Sequence, residues 1–158
     1  MKKLLTLLIL LAVPLIAGSV FAAGTVTVTK DVTRYVGSKP SVRTIVLTCV
    51  GDATNGSIPD TTLYNITGMS KPLPGWYLLR VRVKSLTADA DVSDNADVYI
   101  KEDGTDLLNG QGVDQLDNAT NNYIRLTAYD PIAENPVLDV DNQSEASGEY
   151  TVTLILGF

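Results

Sequence analysis

Apolar and polar residues alternate with a period of two over most of this chain. From Thr25 to Val36, Val26, Val28, Val32 and Val36 fall on one side and Thr25, Thr27, Thr29 and Thr33 on the other. That spacing, carried by β-branched residues, predicts a strand. A second strand is predicted over Val42–Val50, with Ile45, Leu47 and Cys49 opposite Val42, Val46 and Val50. Trp76–Leu86 is predicted to place Tyr77, Leu79, Val81 and Val83 inward and Arg80, Arg82 and Lys84 outward. Shorter strands are expected at Thr61–Ile66, Asp97–Glu102, Tyr123–Tyr129 and Val137–Val140, and a long regular one at Glu149–Phe158. Turn signals punctuate them: Gly51–Pro59 with its Asn55-Gly56, Gly68–Gly75 with Pro72 and Pro74, Asp103-Gly104, the polar run Asn109–Asn122, and Asp130-Pro131. No stretch after residue 23 carries a helical stripe. Seven or eight short strands with such punctuation predict an all-β, antiparallel β-sandwich, jelly-roll or immunoglobulin-like in character.

The first residues follow a different pattern. Lys2 and Lys3 precede an apolar run from Leu4 to Ala17, and Gly18-Ser19-Val20-Phe21-Ala22-Ala23 follows. A charged start, an apolar middle and a small-residue end make a secretory signal peptide. Val20 and Ala22 suit the small pockets of a signal peptidase, so cleavage is expected after Ala22. The expected organisation is an apolar signal helix over 1–22 and one sandwich domain over 23–158. Left uncleaved, the 20 residues Leu4–Ala23 are long enough to span a bilayer, although Pro14 and the Gly18-Ser19 pair suit a permanent anchor poorly. A lipid-bearing cysteine would stand at the cleavage site, and the only cysteine is Cys49.

Charge and composition then narrow the chemistry. Without Lys2 and Lys3 the 12 Lys and Arg become 10, against 18 Asp and Glu, and 10 − 18 gives −8. An acidic surface repels nucleic acid and anionic membranes, and it favours solubility and cation binding. No nucleic-acid partner is expected, and no membrane once the leader is removed. A single cysteine cannot form an internal disulfide; Cys49, inside an apolar strand, is expected to be a buried, inert thiol. Histidine is absent. The usual general base near neutrality, imidazole metal ligands and Ser-His-Asp or Cys-His arrangements are therefore missing from the chain. No enzymatic activity is expected.

Three features could carry function. The first is the acidic stretch 89–97, where Asp89, Asp91, Asp94 and Asp97 are candidate calcium ligands. Its spacing begins like an EF-hand loop and then departs, with Asp94 where the turn glycine belongs and Ile100 where the closing glutamate belongs. A solvated loop is the plain reading; Asp103, Asp106, Asp139 and Asp141 could join a site only if the fold gathers them. No cofactor beyond that calcium is implied. Paired carboxylates also suggest glycosidases, but the one tryptophan, Trp76, reads as a core or rim aromatic rather than a sugar platform. The second feature is the strand Thr25–Val36, which begins just after the cleavage point. A strand held at one end can be donated to a neighbour's sheet, with Val26, Val28, Val32 and Val36 as its apolar row; the plain reading is a first strand paired at home. The third is the C-terminus, where Tyr150, Val152, Leu154, Leu156 and Phe158 alternate as in the last strand of a small outer-membrane barrel. Missing aromatic girdles, short strands and Pro72, Pro74, Pro131 and Pro136 favour a soluble core strand instead. Four sequons, at Asn55, Asn65, Asn118 and Asn142, are read as chance matches.

The back half resembles a group of small β proteins of phage and prophage structural regions and of exported bacterial surface proteins. The residues that carry the likeness are Lys101-Glu102-Asp103-Gly104-Thr105-Asp106-Leu107-Leu108-Asn109-Gly110 with Gly112, Pro136-Val137-Leu138-Asp139-Val140-Asp141-Asn142, and Ser147-Gly148-Glu149-Tyr150-Thr151-Val152. The resemblance covers about residues 76–158, implies a structural role and transfers no active site. The leader departs from a virion protein, which needs no export. The sequence thus leads to a secreted or cell-surface structural subunit that self-assembles into a filament, coat or surface layer. A secreted calcium- or glycan-binding module, through loops 89–97 and 109–122, is the alternative, and a small outer-membrane barrel the second alternative.

Overall fold

The computed structural model describes residues 23–86, 96–116, 121–126 and 131–158. The described residues form nine strands in chain order: β1 (Thr25–Val36), β2 (Lys39–Val50), β3 (Thr61–Thr62), β4 (Tyr77–Ser85), β5 (Asp97–Glu102), β6 (Thr105–Asp106), β7 (Asn121–Arg125), β8 (Val137–Asp141) and β9 (Glu149–Gly157). They make two antiparallel sheets, one ordered β1-β2-β9-β4-β7 and the other β3-β8-β5-β6. The fold is an all-β sandwich.

The pairing pattern specifies which sandwich. β2 pairs with β9, β3 with β8, β4 with β7 and β5 with β6. These are the nested partners of one long hairpin, folded so that successive segments alternate between the sheets. That is the jelly-roll arrangement of two Greek keys, with β1 added beside β2. The hairpin tip is Asp103-Gly104, where both residues have positive φ (46° and 75°). A type I′ turn needs that conformation at both central positions, and Asp-Gly supplies it. β1 and β2 are joined by Gly37-Ser38; Gly37, at φ 63°, takes the first central position that a type II′ turn reserves for glycine.

The core lies between the sheets. Ile45, Leu47 and Cys49 of β2, Val81 and Val83 of β4, and Tyr150, Val152, Leu154 and Leu156 of β9 face Val98 and Ile100 of β5 and Leu138 and Val140 of β8. Leu73, Trp76, Leu108, Leu116 and Ile132 close its ends from the loops. Apolar side chains therefore point inward from two open sheets, the reverse of a membrane barrel, whose apolar band faces outward. Among the described residues no helix is long and apolar enough to cross a membrane.

Two predicted alternations break, both at bulges. In β1, Val28 pairs with Leu47 and Lys30 with Val46, so Thr29 is an extra residue. Beyond it the side-chain phase reverses. Val26 and Val28 are half-buried against the core, but the inward residues are then Asp31 and Thr33; Val32 is 42% exposed and Val36 74%. The four valines do not form one face. In β4, Leu78 pairs with Leu156 and Arg80 with Ile155, leaving Leu79 as the extra residue. Leu78 is therefore inward, and Tyr77 and Leu79 are not. Other predicted limits also shift. The segment predicted as a strand over 61–66 becomes two residues of β3 and a 3₁₀ turn, Leu63–Asn65, which buries Leu63. The Asn109–Asn122 run is not wholly loop: tight turns hold Leu108 and Gly112 inward, and Asn121 and Asn122 start β7. Phe158 leaves the β9 row, 68% exposed, and meets the Trp76 ring edge-on at 5.3 Å.

Candidate functional site

β1 is the flank of the larger sheet, and its placement is the main functional feature of the fold. Eleven residue pairs join it to β2. Threonine side chains reinforce the pairing on the outer face: the Thr29 hydroxyl donates to the Val46 carbonyl at 3.2 Å and the Thr48 hydroxyl to Thr29 Oγ1 at 3.3 Å. The opposite side of β1 pairs with no strand among the described residues.

A buried ion pair bolts this edge strand in place. Arg43 falls in phase with Ile45, Leu47 and Cys49, so its side chain points into the molecule and is fully buried. The bulge at Thr29 turns Asp31 to meet it. Arg43 Nε donates to Asp31 Oδ1 at 2.8 Å and Nη2 to Oδ2 at 2.7 Å. The remaining guanidinium donors reach the Pro72 carbonyl at 3.0 Å and the Lys71 carbonyl at 2.8 Å. Asp31 Oδ2 also accepts from the Ser70 N–H at 2.8 Å and its hydroxyl at 2.7 Å. The guanidinium lies 5.9 Å from the Trp76 ring centroid. One knot therefore ties β1, β2 and the proline-bearing loop 69–76 together. Burial pushes the Asp31 carboxyl up, but Arg43 and the two Ser70 donors outweigh it and hold its pKa at about 2. Sequence reasoning missed this pair. Its signal was an arginine in register with an apolar row.

An open groove of about 380 Å³ runs beside the start of β1, where Val26 and Thr27 face Asp60, Thr61, Thr62, Asn65, Ile66 and Thr67. It lies between the edge strands of the two sheets, β1 and β3. Its walls are hydroxyls, an amide and one carboxylate; its apolar floor is Val26 and Ile66.

Of the four candidate calcium ligands, Asp97 is the one among the described residues. Asp89, Asp91 and Asp94 lie outside the described residues. Asp97 starts β5, and both its oxygens are engaged: Oδ1 accepts the Asp114 N–H at 2.8 Å, and Oδ2 accepts the Asn142 amide at 2.9 Å and the Tyr99 hydroxyl at 3.3 Å. It ties loop to loop. Asp106 caps its own turn through the N–H groups of Leu108 and Gly110. Asp139 is buried in an ion pair with Lys101. Among the described residues no group of three or more His, Cys, Asp or Glu is arranged to hold a metal.

Cys49 is fully buried, and burial pushes its thiol up to about 12. Opposite it on β9 stands Tyr150, equally buried, whose hydroxyl faces the Cys49 thiol and makes no well-formed hydrogen bond among the described residues. Burial raises the Tyr150 pKa as well. Neither group is poised for chemistry.

Comparison with protein-family models, with curated proteins and with solved structures finds no match for this chain.

Proposed function

We propose that this chain is an exported, non-catalytic structural subunit that self-associates into an extracellular filament, coat or surface layer. The observation that carries the reading is the outer edge of β1, a 12-residue strand that flanks the larger sheet and exposes Val32, Tyr35 and Val36. Unpaired main-chain groups along such an edge are a template for another chain's strand. Lys30, Arg34 and the bulge at Thr29 blunt part of it, which favours a selective contact over open aggregation. The leader supports export, and the lack of histidine supports a role without catalysis. Jelly rolls serve both as coat and as lectin domains, so the fold by itself does not decide between them.

Strand donation and pairing in place are two routes to such a polymer. The Asp31–Arg43 knot favours pairing in place, because withdrawing β1 would strand a buried guanidinium. The test is sedimentation velocity on residues 23–158 beside the Val32→Lys/Val36→Lys variant, which sets like charges along the edge. The parent should associate with rising concentration and the variant at least tenfold more weakly. A parent that stays monomeric at millimolar concentration would refute the proposal.

The groove beside β1 favours a second reading, a secreted glycan-binding module. Its hydroxyl and amide walls suit sugar hydroxyls. Glycan-array binding that is lost in Asn65→Leu, with no self-association, would select it. Calcium binding at 89–97 belongs to the same reading, and calorimetry with Ca²⁺ on Asp91→Ala tests it.

A further inference from the structure

The register of the larger sheet sorts the charges of this acidic protein by face. Lys84 aligns with Thr151 and Thr48, Arg82 with Thr153 and Val46, and Arg80 with Ile155 and Thr44. These positions alternate with inward Val81, Val83, Leu154 and Ile45, so they line the outer face. β1 continues one of these rows with Lys30, beside Val46, and adds Arg34 beside Val42 in the next row, which Gly157 and Tyr77 complete. β7 adds Arg125 beside Arg80 and Tyr123 beside Arg82. Six of the 10 cations in residues 23–158 thus share one face, and among the described residues these rows hold no carboxylate; Glu149 stands at the end of the face, beside Val50. Tyr123 lies between the Arg80 and Arg82 guanidiniums, 5.8 and 5.3 Å from its ring centroid. Cation–π attraction spreads the two charges flat over one ring. Between the basic strips run Thr, Val and Ile side chains, a flat uncharged surface.

The outer face of the smaller sheet carries two exposed carboxylates, Asp60 and Asp141, with the buried Asp97 and Asp139 beside them. Asp139 lies opposite Tyr99, Asp141 opposite Asp97, and Asp60 beside Asp139. Among the described residues the one cation there, Lys101, is paired with Asp139. Local titration agrees. Burial raises Asp60, and the charges of Asp139 and Asp141 raise it further; the hydrogen bond to Asp139 raises Lys101. Among the described residues the cations therefore gather on the outer face of the larger sheet and exposed carboxylates on that of the smaller one, with two sheets packed about 10 Å apart between them.

We propose that the basic face of one copy, built on β4, β7 and β9, docks on the acidic face of a second copy, built on β5 and β8. The inference rests on the self-association proposed above and adds a second contact to the β1 edge. Such a contact uses different patches on its two sides, so it repeats head to tail and leaves an open stack unless its rotation closes a ring. A second copy fits better than an anionic polymer, because each chain supplies both halves of the complement while its net charge of −8 repels polyanions. Charges held on two faces also steer copies into one orientation.

The test uses the Val32→Lys/Val36→Lys background, in which edge pairing is suppressed. On it are built Arg80→Glu/Arg125→Glu and, separately, Asp60→Lys/Asp141→Lys, with Asp141→Lys alone as a milder form. Far-UV circular dichroism and Trp76 fluorescence check folding. At low salt the background should still associate, and half-molar salt should abolish this. Each reversal alone should be monomeric, and an equimolar mixture should associate again, because reversed faces complement each other. A background that is monomeric while the parent assembles overturns the face contact and leaves the edge reading standing. A monomeric parent overturns both. Reversals without effect, folded reversals that fail to rescue each other, or binding of anionic vesicles in place of a second copy would each overturn the inference.

Discussion

Replacing Asp31 by alanine should be among the most destabilising single changes in this protein. Arg43 would keep its carbonyl partners Lys71 and Pro72 but lose the carboxylate that neutralises it, while remaining fully buried. Removing one member of a buried pair costs about 3–5 kcal/mol. The carboxylate's own titration gives an independent scale. A pKa of about 2 against the ordinary 3.8 corresponds to at most about 2.4 kcal/mol of differential stabilisation. Solvent beside an edge strand screens part of it, leaving about 1–2 kcal/mol. The larger figure for the alanine variant includes the stranded guanidinium, which protonation of Asp31 does not wholly create. Urea unfolding followed by Trp76 fluorescence suits the measurement, since the ring lies against Arg43. A loss of 3–5 kcal/mol corresponds to a fall in Tm of about 10–20 °C for a domain of this size. The Asp31→Leu/Arg43→Met double variant, apolar throughout, should recover most of the loss. A cost below about 1 kcal/mol for Asp31→Ala would refute the reasoning, because the pair would then not hold β1 in its sheet.

Further outcomes follow from the same coordinates. Because the folded pKa of Asp31 lies below its unfolded value, its contribution is complete above about pH 5 and fades as pH falls toward about 2; acid titration of stability should show that loss in the parent and not in Asp31→Leu/Arg43→Met. Cys49 should resist thiol reagents in the native state and react at the rate of global unfolding, as a colorimetric thiol assay in graded urea can show. Tyr150→Phe removes a buried hydroxyl whose one polar neighbour is the weakly bonding Cys49 thiol, and should change stability by no more than about 1 kcal/mol in chemical denaturation. Leu154→Ala, in the middle of the central strand β9, should cost about 2–5 kcal/mol by the same measure.

Strands whose two faces differ cleanly were legible in the sequence. β5 occupies 97–102 as its pattern predicts, and β1 spans 25–36. Period two reports local amphipathicity and cannot see an inserted residue, so the bulges at Thr29 and Leu79 reversed the expected faces. The first of them matters most, since it converts Asp31 from a surface residue into the partner of Arg43. β3 was overestimated because Leu63 and Ile66 are apolar for a different reason: they plug the end of the core from a 3₁₀ turn. Strand order was out of reach. The nested pairs β2–β9, β3–β8 and β4–β7 join residues far apart in sequence, and no short-range pattern encodes them; only the β5–β6 tip at Asp103-Gly104 has a local signal. The same limit hid the charge distribution, since Lys30, Arg82 and Arg125 come to share one face only through the sheet.

The most direct test of the account is electron microscopy of the exported protein, in negative stain, taken from the outer surface and medium of cells that produce the full chain. The account predicts ordered filaments or layers made of this subunit, replaced by dispersed particles when Val32 and Val36 are both lysine. Dispersed monomers from the unaltered chain, or a chain retained inside the cell with its leader intact, would contradict it.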